Sequence, residues 1–199
     1  KKQCRPHPAT TSGSRSCCGC EEDPQRKKMA TMKAYTLVGH GGPEMLVYRT
    51  DFPKPVAGPG EVVIRVGACG CNNTDINTRV GWYSKAVTSE TSQVTTSVET
   101  DSLKDDGTWG GYTLRFPRVQ GADVCGVVVE VGPEVNSGLV GKRVLIDTWV
   151  RAPDAPDDLR RTKYFGSELD GGFAQFTKCP ASQVHPIEST LSDAELATF

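Results

Sequence analysis

From Met32 onward the chain is written in short, valine-rich apolar runs cut apart by glycine and proline, and this punctuation limits the fold more than any other feature. Runs of that length, bounded by turn residues, read as strands and not as amphipathic helices. Residues 33–38 and 45–51 flank Gly41-Gly42-Pro43 and read as a hairpin. Gly58-Pro59-Gly60 marks a second turn. Residues 61–68 then alternate Val62, Ile64 and Val66 with Val63 and Arg65, as a strand with one better-buried face does. Residues 122–131 and 143–150 are further Val-rich strands joined through Gly132-Pro133 and the glycines at 138–141, and Gly171-Gly172 introduces a last run at 173–178. The predicted fold class is mainly β with short helices.

Two places change character. Residues 72–80 read as a short helix, with Asn72 or Asn73 able to cap its start and Asp75 in the first turn, where a negative charge favours the helix dipole. Ser192-Asp193-Ala194-Glu195 is a capping box whose helix, in the segment 191–199, has room for barely two turns, so more chain is expected to follow. Residues 84–115 are rich in Ser, Thr and acidic side chains without periodicity and are expected to form a polar surface insertion. Residues 1–31 are expected to be a disordered tail, for they hold too little aliphatic surface to offset the entropy of ordering. That leaves one folded unit at 32–190. Met29 or Met32 stands directly before it, and the residues ahead of Met29 are expected to be a leader dispensable for stability.

Charge and cysteine usage narrow the partners. Residues 1–28 carry seven Lys/Arg against three Asp/Glu, while the whole chain has a formal net charge of -1. A near-neutral domain gives no electrostatic reason to bind nucleic acid or an anionic membrane, which leaves small molecules. No stretch approaches the roughly 20 apolar residues of a membrane-spanning helix. Four of the eight cysteines (Cys4, Cys17, Cys18, Cys20) crowd into the tail, where only His7 could complete a zinc set. With no apolar leader run, Cys69, Cys71, Cys125 and Cys179 read as reduced thiols of a cytoplasmic protein.

The order of several short motifs says more than any one of them. Met32-Lys33-Ala34, Gly41-Gly42-Pro43-Glu44 and Gly60-Glu61-Val62 are followed by Gly121-x-Asp123-x-x-Gly126-x-Val128-x-x-Val131-Gly132. Val140-Gly141-Lys142-Arg143-Val144 and Gly171-Gly172-Phe173-Ala174-Gln175-Phe176 complete the series. This series resembles the N-terminal domain of medium-chain, alcohol-dehydrogenase-like oxidoreductases over residues 32–199, apart from the insertion. The resemblance implies a GroES-like, partly open β-barrel on the substrate side of a cleft. It also implies a following Rossmann domain that holds most of an NADPH or NADH cofactor and through which any homodimer would form.

The same resemblance bears on metal. Zinc-dependent members carry Cys-x-Ser/Thr-Asp at the strand-to-helix turn and a Gly-His-Glu segment; here Asn72 stands in place of the Cys and Ala122 in place of the His. Cys71 sits one residue from the lost position, where a shift between strand and helix redirects its side chain. No cysteine occurs in 147–171, where many relatives carry a structural zinc loop. No catalytic zinc is therefore expected. Asn72-Asn73-Thr74-Asp75 with Gly81-Trp82-Tyr83 looks like the quinone oxidoreductase variant of this turn.

That variant implies Asn72, Thr74 and Tyr83 as the groups that polarise a carbonyl or quinone oxygen, and Asn72, Asp75 and Asp123 as the groups near the nicotinamide. Hydride transfer to a conjugated carbonyl places negative charge on oxygen, which such donors stabilise in a water-poor cleft. Plainer roles stand beside these. Asn72 can be only a cap, Asp75 can complement the dipole or pair with Arg79, Trp82 and Tyr83 can pack the rim, and Asp123 can fix a turn. His40 and His185 lack ligand partners in sequence, and Gly39-x-Gly41-Gly42 lacks both the final glycine and the helix of a phosphate loop. The expected function is a zinc-independent NAD(P)H-dependent reductase of quinones, enones or related carbonyls. The alternatives are an alcohol or aldehyde dehydrogenase-like enzyme and a non-catalytic GroES-like binding module.

Overall fold

The computed structural model describes residues 29–84, 108 and 112–199. The tail at 1–28 and most of the insertion at 84–115 lie outside the described residues. The hairpin is present as β1 (Thr31–Leu37) and β2 (Leu46–Pro53), which run antiparallel, with the short β4 (Arg118–Val119) on the far side of β1. Thr31, assigned to the tail by sequence, already pairs with Pro53 in β1.

A larger sheet has the strand order β10 (Val184–Pro186), β6 (Arg143–Ile146), β5 (Val124–Val131), β3 (Glu61–Cys69) and β9 (Phe176–Pro180). Its neighbouring strands are antiparallel throughout. Residues just before β9 tie the two sheets together: Tyr35 N donates to Phe173 O at 2.8 Å and Gln175 N to Lys33 O at 3.0 Å. The sheets do not close into a barrel, so the architecture is the partly open one expected. A two-stranded ribbon of β7 (Trp149–Val150) and β8 (Lys163–Tyr164) forms the third sheet.

The core is the valine pattern made physical. Val62 and Ile64 of β3, Val124 and Val128 of β5, and Val144 of β6 bury almost completely together with Phe165 and Cys179. Full burial of each such aliphatic side chain stabilises by about 1.5–3 kcal/mol. The simple alternation expected along β3 fails at one point, since Val63 is as buried as its neighbours. The register against β5 shifts between Val63 and Ile64, and that irregularity interrupts the period of two.

The run at 143–150 is likewise two strands. The Asp147 side chain accepts a hydrogen bond from Trp149 N at 2.9 Å, a local turn that ends β6 and sends β7 toward β8. Strands β4, β8 and β10 were not legible in the sequence, because each is only two or three residues long.

Two helices are described, α1 (Asn73–Val80) and α2 (Asp193–Leu196). The α2 capping box forms, with Glu195 N donating to Ser192 Oγ at 3.2 Å and Ser192 N donating to Glu195 Oε2 at 2.7 Å. Arg143 anchors α2 to the sheet through Asp193, the Ser189 carbonyl and the Leu191 carbonyl. Among the described residues no helix is long and apolar enough to cross a membrane.

Candidate active-site cleft

Strand β3 ends at Cys69, and the chain turns at Asn72 into α1. Of the two asparagines able to cap this helix, Asn72 does so: its Oδ1 accepts from Thr74 N at 3.2 Å, while its own backbone N donates to Asp75 Oδ2 at 2.9 Å. The helix stops at Gly81, which adopts a left-handed φ of 74°.

Asp75 also reaches across to the β4–β5 connection, where its Oδ1 accepts from Gly121 N at 3.0 Å and its carbonyl accepts from Gln120 Nε2 at 2.9 Å. Of the two plainer roles open to Asp75, the pair with Arg79 does not form: Arg79 donates to the Gly41 carbonyl at 2.6 Å. Gly121 fits this junction for steric reasons. Its φ is 93°, and a Cβ there would lie 2.6 Å from both Cys69 Sγ and the Phe173 ring.

The junction carries Asp123 beside the helix start, and Asn72 Nδ2 donates to Asp123 Oδ2 at 3.1 Å. An amide held at Oδ1 by the helix and at Nδ2 by a carboxylate has a fixed orientation. Burial pushes the Asp75 carboxyl upward from its usual range, opposed by the two backbone N–H donors and reinforced by the charge of Asp123. Burial likewise pushes the Tyr83 phenol up, and Asn77 Nδ2 lies 3.4 Å from its oxygen.

A cleft of about 230 Å³ opens over this turn. Asn72, Thr74, Asp75, Tyr83 and Asp123, the five residues singled out in the sequence, all line it. They do not stand alike. Asn72 and Thr74 are exposed at the cleft, whereas Asp75 is partly buried with both carboxylate oxygens engaged by backbone N–H groups.

The rest of the lining was missed in sequence. Thr148, Trp149, Tyr164, Phe165 and Ser167 reach the cleft from the β7–β8 ribbon, with the Trp149 and Tyr164 rings packed at 67° and 4.7 Å between centroids. A pairing of aromatic runs around the charged segment between them was the available signal.

A catalytic zinc fits these donors poorly. Such sites use three protein ligands from Cys, His, Asp or Glu and an open position. Here Ala122 offers no donor and the two ends of the Asn72 amide are committed, while Cys71 is not in the cleft lining and faces an adjoining groove that shares Asn72 and Asp75 with it. Among the described residues no group of three or more His, Cys, Asp or Glu side chains is placed to hold a metal ion. His40 is a buried structural residue, its Nδ1 3.0 Å from the Thr78 carbonyl and its pKa lowered chiefly by burial.

Comparison with known proteins identifies the family of the fold. The alcohol dehydrogenase GroES-like domain family matches residues 58–189. The L-threonine 3-dehydrogenase of Pyrococcus furiosus is 30% identical over 141 residues, 67% of this chain and 33% of that enzyme. The quinone oxidoreductase of Mus musculus is 25% identical over 161 residues, 81% of this chain and 35% of that enzyme. A crystal structure from Sinorhizobium meliloti assigned to the alcohol dehydrogenases superposes with a TM-score of 0.69 at 40% identity, over 85% of this chain and 43% of that one. The chain thus spans about a third of the length of the two curated relatives. On its strand order, its motif series and these similarities, the chain belongs to the alcohol dehydrogenase GroES-like domain family, within the medium-chain dehydrogenase/reductase superfamily.

Proposed function

We propose that the chain is the substrate-side domain of a zinc-independent, NADPH- or NADH-dependent reductase of quinones, enones or related carbonyls. The observation that carries this reading is the oriented Asn72 amide at the cleft, in the position where zinc-dependent relatives carry a thiolate. The dinucleotide, held mainly by a following domain, supplies the hydride. In this reading Asn72 and Asp123, which line the cleft, meet the nicotinamide edge.

As a carbonyl accepts hydride, charge grows on its oxygen, and donors already in position stabilise that charge without reorganising. One Asn72 amide hydrogen goes to Asp123; the amide carries a second. Thr74 adds a hydroxyl at the same cleft. Tyr83, whose pKa burial raises, stays protonated at neutral pH and is a third donor. We assign Asp75 to bracing the turn, since its carboxylate is taken up by Asn72 N and Gly121 N. The free thiols of Cys69, Cys71, Cys125 and Cys179 support a reducing compartment, the cytoplasm.

The test uses the complete natural protein, with whatever chain follows Phe199. NADPH or NADH oxidation in the presence of an enone or quinone is expected without stoichiometric zinc and without sensitivity to chelators. One zinc per chain by elemental analysis, with activity lost on its removal, would overturn the metal-free part. Similarity to threonine and alcohol dehydrogenases favours a second reading, oxidation of an alcohol. Dinucleotide reduction with secondary alcohols, in the absence of any enone reduction, would select it.

A further inference from the structure

The β7–β8 side of the cleft holds a group that the fold leaves without a partner. Ser167 is 5% exposed, its Oγ is sealed from solvent, and among the described residues that oxygen makes no hydrogen bond. Thr162 Oγ1, from the start of the same segment, is in the same condition. Buried hydroxyls are paired in the great majority of native structures, so an unpaired one on a residue that lines a ligand-sized cleft calls for a reason. Packing supplies none, because alanine would fill nearly the same space.

The backbone around Ser167 is fixed tightly. Ser167 N lies 3.3 Å from Tyr164 O, and Gly166 N donates to Leu169 O at 2.9 Å. Gly166 has a φ of 78°, and a Cβ on it would come within 2.8 Å of Gly121 N. The turn that carries Ser167 is therefore pressed against the same junction that carries Asp123 and, through Asp75, braces Asn72. Rotation about χ1 alone redirects the serine hydroxyl, with no backbone change. Two separate elements thus bring hydrogen-bonding groups to one cleft, whose lining also includes the aromatic Trp149, Tyr164 and Phe165.

We propose that Ser167 is a specificity-determining residue whose hydroxyl bonds a second oxygen of the substrate, so that the cleft selects planar carbonyl compounds bearing a further hydroxyl or carbonyl oxygen. This rests on the carbonyl-reductase reading above. Asn72 and Thr74 serve the reacting oxygen, and Ser167 serves the distal one. The hydroxyl both donates and accepts, so it suits either kind of distal oxygen.

The matched pair cyclohex-2-enone and 4-hydroxycyclohex-2-enone differs by that oxygen alone. In the complete natural protein, KM is measured for each enone, and Kd by tryptophan fluorescence in the presence of the oxidised dinucleotide, which permits binding without reduction. Wild type is expected to favour the hydroxyenone by roughly tenfold in both constants, the effect of one hydrogen bond to an otherwise unpaired group. Ser167→Ala is expected to erase the preference, so that the two enones give the same KM and the same Kd. Ser167→Cys, which puts a slightly larger group with only a weak donor at the same position, is expected to behave the same way. An unchanged preference in either variant, equal weakening of both ligands, or no preference in wild type would overturn the role of Ser167 and leave the reductase reading standing. Failure of wild type to bind or reduce either enone would remove both.

Discussion

Asn72 Nδ2 donates to Asp123 Oδ2 at 3.1 Å, joining the first residue of a helix turn to a loop 51 positions away in the chain. The same asparagine caps α1 through Oδ1. A cap serves stability and an oriented amide serves catalysis, so the two duties can be separated by substitution. Ser is about as good an N-cap as Asn but has no amide. In the complete protein, Asn72→Ser is expected to keep Tm within about 4 °C, since the difference between the two caps and the exposed bond to Asp123 together amount to about 1 kcal/mol. Carbonyl turnover should fall by about 10²-fold, the scale of losing one positioned donor. Thermal melts and steady-state kinetics on one preparation check both; a large Tm loss with kcat intact would reverse the assignment.

Removing the partner tests orientation. Asp123→Ala leaves the Asn72 cap in place but frees its amide to rotate. The expected result is a lower kcat, by roughly tenfold, with little change in helix content. Circular dichroism and kinetics check this, and an unaltered kcat would show that Asp123 does not position the amide.

The junction at Gly121 is expected to reject any side chain. At a φ of 93°, with Cys69 Sγ and the Phe173 ring each 2.6 Å from the added carbon, Gly121→Ala incurs both backbone strain and overpacking. Each is worth about 1–3 kcal/mol, so a loss of about 3 kcal/mol is expected in chemical denaturation. A loss below about 1 kcal/mol would show that the loop relaxes easily.

Asp75 gives a pH signature. Burial raises its carboxyl pKa in the folded protein above the unfolded value. Between those two values the native state binds more protons than the unfolded state, so this group makes stability rise as pH falls through the folded pKa. Asp75→Asn removes the titration and also one of the two acceptors for Asn72 N and Gly121 N. The variant is expected to be less stable by about 1–3 kcal/mol at neutral pH. The gap should widen as pH falls from neutrality toward the ordinary carboxylate range. Denaturation series at several pH values check the sign; a gap that narrows over that window would mean the folded pKa is not raised.

The C-terminal helix α2 is short, and its attachment is lateral. Arg143 binds Asp193 and the carbonyls of Ser189 and Leu191, all within the segment that leads into it. Arg143→Met is expected to speed amide exchange at Leu196 and Ala197 while leaving β5 and β6 protected. Uniform protection in the variant would show that burial of Leu196 against the sheet suffices alone.

Much of this protein was set by local chemistry. Valine runs between glycine and proline make strands in nearly any context, Asn72 and Ser192 start helices because their side chains meet orphan N–H groups, and Gly81 ends one because it alone enters left-handed backbone freely. Those effects act over a few residues, so the sequence by itself determined the β class, both helix starts and the turn that carries Asn72, Thr74 and Asp75. Tertiary structure decided what no local window contains. It broke the alternation at Val63 through a register shift and turned Asp75 from Arg79 to Gly121. It also brought Trp149, Tyr164 and Ser167 to a cleft whose other side comes from residues some 70 positions or more earlier, along α1. Pairing across such separations depends on which strands become neighbours, and that is settled by burying the whole valine core at once.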